Sequence, residues 1–152
     1  MSRQYQWLLL FHILAAMVCL GGFALTLLSV QVLRSGEPDA IARFTGSLRL
    51  VGPLILVPAM AAVIAFGIWL VLDRHSRYFG QSWVWLALVL FGAAFLIGAG
   101  YQSRTAIGAQ RAAGEGDYGE TARQLRRWSW GMRAILLLLV VITWDMVTKP
   151  GL

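Results

Sequence analysis

The stretch LLLFHILAAMVCLGGFALTLLSVQVL, residues 8–33, contains no Asp, Glu, Lys or Arg, and its one ionisable side chain besides the Cys19 thiol is the imidazole of His12. A helix crosses a hydrocarbon core in roughly 20 residues, so this block is long enough to span. Residues 50–72 and 83–101 form two more uncharged blocks. A fourth, 128–147, carries Arg133 and Asp145 near its two ends, where charged side chains can reach the interface. The pattern predicts an all-α membrane protein, a four-transmembrane-helix up-down bundle. It forms one domain over residues 1–152, with helices at about 6–33, 50–72, 82–112 and 120–147. The composition agrees: 59% of residues are hydrophobic and 13% charged, whereas soluble domains carry about 25% charged residues. The first apolar run is longer than a signal-peptide core and ends in no small-x-small site, so it reads as a retained span.

Thirteen Lys and Arg against seven acids give a net charge of +6. With four spans, Arg3, Arg74, Arg77 and Lys149 fall on the side of the termini, and the other nine basic residues fall on the opposite side. The positive-inside rule then places both termini outside the cytoplasm. The basic excess is an orientation signal. No basic face with interleaved aromatics stands outside the spans, which argues against nucleic acid as a partner. The partner implied is the lipid bilayer. Small residues on the third helix, Ala94 and Gly98 beside Tyr101, also suit packing in a homo-oligomer or a membrane complex. Tyr5, Trp7, Trp69, Tyr78, Trp83, Trp85 and Trp144 at one level, and Tyr101, Trp128 and Trp130 at the other, suggest aromatic belts.

His12 is the first candidate site residue. On a 3.6-residue repeat it shares a face with Ala15, Ala16, Cys19, Gly22, Thr26 and Ser29, while Leu10, Leu14, Met17 and Leu25 lie opposite. The imidazole is therefore expected to point inward, either as a ligand or as a histidine bonded to Asp145, Ser82 or a backbone carbonyl. Asp145 has two expectations of its own: an i,i+4 ion pair with Lys149, or a carboxylate that orients His12. His75, in DRHSR after the second helix, is either solvated or a second axial ligand for haem, with Arg74 and Arg77 pairing the propionates. Met17, Cys19, Met60, Met132 and Met146 offer soft sulfur for copper(I) but show no Met-x-Met clustering, so they read as packing residues. CxxC, HExxH, GxSxG and the Walker pattern GxxxxGK[ST] are missing. Pro58 should kink the second helix.

WLLLFHILAAMVCLGG, VGPLILVPAM and RRWSWGMRAILLLLVVITWDMVTKPG together resemble a bacterial family of predicted integral membrane proteins of unknown function. That family is similar, at superfamily level, to the membrane part of the copper-resistance protein CopD and to HemJ-type protoporphyrinogen oxidases. The resemblance implies the bacterial inner membrane and a haem b or metal site on His12, with electron transfer or haem handling as its role. Copper handling is the CopD-like alternative, and a non-enzymatic accessory or assembly protein is the other. The HemJ-type lysine has no counterpart, because the chain's one lysine is Lys149. The oxidase activity itself is therefore not implied.

Overall fold

A computed structural model describes residues 3–33, 52–73 and 81–148, and all regular structure within them is helical. Helix α1 is Arg3–Leu33. Helix α2 begins with a π-helical turn, Gly52–Leu56, and continues as Val57–Asp73. Helix α3 is Ser82–Gly114, with a π-helical segment at Ile97–Gln102. Helix α4 is Tyr118–Thr148. All four are long and apolar enough to cross a membrane.

Local chemistry explains the irregular turns. Pro58 lacks an N–H and its ring crowds the carbonyl of residue 54, so the turn before it cannot close as regular α-helix; it opens into the π turn Gly52–Leu56. In α3 the buried positions run Val84, Ala87, Phe91 and Ala94, then resume at Gln102, Thr105, Ala109 and Ala112. The step from Ala94 to Gln102 holds one residue too many for the 3–4 alternation of an α-helix. The wide turn at Ile97–Gln102 absorbs it and keeps both halves facing α4.

The α3/α4 turn is set by Gly116 and Asp117. Gly116 takes φ 74°, and Asp117 N–H donates to Ala112 O (3.0 Å) while Gly116 N–H donates to Ala113 O (3.3 Å). This is the glycine-ended pattern that satisfies the last carbonyls of a helix. Asp117 then caps α4, its Oδ1 accepting the Glu120 N–H at 2.9 Å.

Packing gives two hairpins side by side. α2 lies along α1, α3 lies along α4, and α1 touches α4, so the helices stand in the order α2–α1–α4–α3. Among the described residues α2 packs extensively only on α1, and α3 only on α4. The arrangement is an open row, looser than a closed bundle. Hydrocarbon is as good a neighbour for Leu and Val as another helix is, so nothing forces the row to close. Leu25, Val32, Leu96 and Val147 are accordingly exposed on its outside. Trp83 and Trp128 depart from the expected aromatic belts: both are buried in the protein, whereas Trp130 is exposed and carries the Arg133 guanidinium 5.1 Å from its ring centre.

Candidate functional site

α1 presents the face read from its sequence. Cys19 is buried, Gly22 and Thr26 are half-buried, and Leu10, Leu14, Met17 and Leu25 are exposed. His12 is half-buried at the α1/α2 contact, with Nδ1 3.0 Å from the carbonyl oxygen of Val63. A carbonyl only accepts, so Nδ1 carries the hydrogen and, in the neutral ring, Nε2 keeps its lone pair. Gly67, one turn along α2, makes room for the ring: a Cβ there would stand 3.1 Å from His12 Cε1. Phe11 stacks on Phe66 beside it, with centroids 5.7 Å apart. Sequence foresaw an inward-facing histidine, but not Val63 and Gly67 as its seat. A backbone acceptor and a glycine on another helix leave no mark in the periodicity of α1.

Asp145 does not orient His12. The imidazole donates to Val63 O, and both Asp145 carboxyl oxygens are buried with no hydrogen-bond partner among the described residues. Asp145 is fully buried, on the same face of α4 as Ile135 and Ile142. Its expected pairing with Lys149 lies outside the described residues, as do His75, Arg74 and Arg77. The end of α2 at Asp73 lies ten residues beyond Val63, about 15 Å of helix rise.

The described residues offer no ready-made metal cage: no three His, Cys, Asp or Glu side chains come together among them. Cys19, Met60 and Met132 are buried in the common apolar core, and Met17 is exposed. Two surface grooves, of about 450 and 380 Å³, are lined by Ala65, Ile68, Trp69 and Leu72 of α2 and by Arg3, Gln6, Trp7 and Leu10 of α1. By helical periodicity each set lies on the face opposite the His12/Val63 contact. Neither groove opens onto His12.

Gln102 is a polar group that sequence reading passed over. It is buried on the π segment of α3, and its amide nitrogen and oxygen lack partners among the described residues. Its seat is Gly131 of α4, where a Cβ would lie 3.0 Å from Gln102 Oε1 and 2.8 Å from the Tyr101 ring. The available signal was a glutamine one residue beyond an apolar block, with a glycine inside the facing helix.

The sequence profile of a family described as predicted integral membrane protein, DUF2269, matches residues 6–150. This chain belongs to DUF2269. No curated protein and no solved structure matches the chain, so the likeness to CopD and HemJ proteins finds no counterpart in those comparisons. DUF2269 is a family of unknown function, and its description accords with the four apolar helices. What this DUF2269 protein does must be argued from its buried polar groups.

Proposed function

We propose that this protein binds haem b, or a single metal ion, through Nε2 of His12 and serves electron transfer or haem handling. The observation that carries this reading is the 3.0 Å bond from Nδ1 to Val63 O. A ligating histidine commonly donates its other ring N–H to a carbonyl, which sets the tautomer and raises the basicity of the free nitrogen. Haem held there would supply one-electron chemistry, and His12 Nε2 would be the nitrogen that holds it. Among the described residues His12 alone would hold the group. A second ligand and propionate partners would come from His75, Arg74 and Arg77, in the segment that follows α2. Asp145 has no part in this site.

The test is a visible spectrum of the purified protein in mild detergent, oxidised and reduced, beside His12→Ala. A Soret band in the wild type and its loss in His12→Ala are expected. A wild type that stays colourless after haem is supplied would end the haem reading, and copper analysis of the same sample would then decide for or against a metal ion.

A second reading makes the protein an accessory or assembly subunit. It is favoured by the open row, in which the other described helices leave the apolar flanks of α2 and α3 uncovered. In that case His12 fastens α1 to α2 and binds nothing. Under either reading the Arg distribution supports an inner-membrane protein with both termini outside the cytoplasm. A reporter active only outside the cytoplasm should work when fused after residue 152 and fail when inserted in 34–49. The reverse result would invert the topology.

A further inference from the structure

Between Arg133 and Lys149 the only ionisable residue of the chain is Asp145. Its side chain is 0% exposed, and neither carboxyl oxygen meets a donor among the described residues. Its surroundings follow from the register of the α3/α4 seam, which the pairs Gly98/Ile135, Gln102/Gly131 and Gly108/Gln124 define. Two heptads along from Gly131, Asp145 comes level with Ala87 and Leu88, neither of which has a polar side chain. Ala87 is the buried one of the two, on the face that α3 turns to α4, and Leu88 is half-buried beside it. One turn beyond them Trp83 is buried, and its indole N–H is given to the Gln81 side-chain oxygen.

Among the described residues no charge on the packed elements answers this carboxyl. Residues 82–96 of α3 contain no ionisable group. α1 brings Arg3, which is exposed, Tyr5, the buried thiol of Cys19, and His12, which donates to Val63 O. On α4 itself Arg133 is twelve residues away and lies over the Trp130 ring. A bare carboxylate buried in this way costs many kcal/mol unless something neutralises it, and ionisable groups inside a membrane span mark functional positions. The position is shallow: Thr148, the last described residue of α4, is three residues on, about 5 Å of rise.

We propose that Asp145 is an exchangeable binding site for a single positive charge, a proton or a monovalent metal ion, reached from the end of the α3/α4 seam at which α4 terminates. By the register of the seam Ala87 and Leu88 stand level with Asp145, and the carboxyl is the polar side chain that the seam offers at this level. The site is independent of His12 and of any haem.

The test compares full-length wild type with Asp145→Asn, which keeps the shape and removes the acid. Thermal midpoints are recorded in detergent from mildly acidic to mildly alkaline pH, with sodium chloride and with an equal concentration of choline chloride. The wild-type midpoint is expected to move with pH or with sodium more than that of Asp145→Asn, and the difference belongs to Asp145 because His12, Cys19, Arg3 and Tyr5 act equally in both proteins. Identical profiles in the two proteins would overturn the proposal. Labelling of the wild type in liposomes with dicyclohexylcarbodiimide, which adds to protonated carboxyls, then names the occupant. An Asp145 adduct that sodium does not block identifies the proton, and one that sodium blocks identifies the metal ion.

Discussion

Replacing Gly131 by valine is expected to split the α3/α4 seam and to lower the resistance of the protein to unfolding in denaturing detergent by about 3 kcal/mol. A Cβ at this position already stands 2.8 and 2.9 Å from two ring carbons of Tyr101 and 3.0 Å from Gln102 Oε1. Both neighbours have to shift at once to admit a side chain there. The Tyr101 ring and the Gln102 amide both approach residue 131 from the π segment, whose backbone keeps the two halves of α3 in phase. Valine adds two methyl groups to that clash, and its stiff χ1 in a helix leaves little freedom to avoid it. Gly92→Ala is the control, because a Cβ at Gly92 meets nothing within 4 Å. Equal unfolding midpoints for Gly131→Val and the wild type would show that the seam is not seated on Gly131.

The second large effect is expected at Gly67. A Cβ there lies 3.1 Å from His12 Cε1 and 3.5 Å from Nδ1, and the ring can move away only by lengthening its bond to Val63 O. Gly67→Val therefore combines an overpacking cost of about 1–3 kcal/mol with the loss of a hydrogen bond worth about 0.6 kcal/mol inside a membrane protein. α2 has no second helix to hold it once the α1 contact is spoiled, since among the described residues it packs extensively on α1 alone. The expected outcome is a loss of about 2 kcal/mol, read as an earlier unfolding midpoint. In a His12→Ala background the same substitution should cost less by about 1 kcal/mol, because the obstructing ring is gone. Equal costs in the two backgrounds would place the imidazole elsewhere than against Gly67.

These two glycines show where legibility ended. The hydrophobic blocks and their lengths were plain, because a bilayer demands long uncharged helices and the sequence has to supply them residue by residue. The inward turn of His12 was also plain, since small residues on one face and Leu and Met on the other sort themselves by a 3.6-residue period. The partner of His12 was not. Asp145 looked suitable as a chemical type, yet the register of α1 against α2 gives the ring to a backbone carbonyl, and every helix carries such carbonyls. Gly67 and Gly131 looked like any other glycines of membrane helices until the facing side chains were in place.

By itself, then, the sequence determined that this chain is a set of four apolar helices, with one imidazole and one carboxyl inside the spans. Local rules sufficed for that, because solvation by lipid acts on each segment separately. Tertiary structure alone decided the order α2–α1–α4–α3, the seating of His12 on Val63 and Gly67, and the isolation of Asp145 and Gln102 from any hydrogen-bond partner among the described residues. The physical reason is that register between helices rests on close packing of small residues and single side chains, and these contacts exist only once two helices lie side by side.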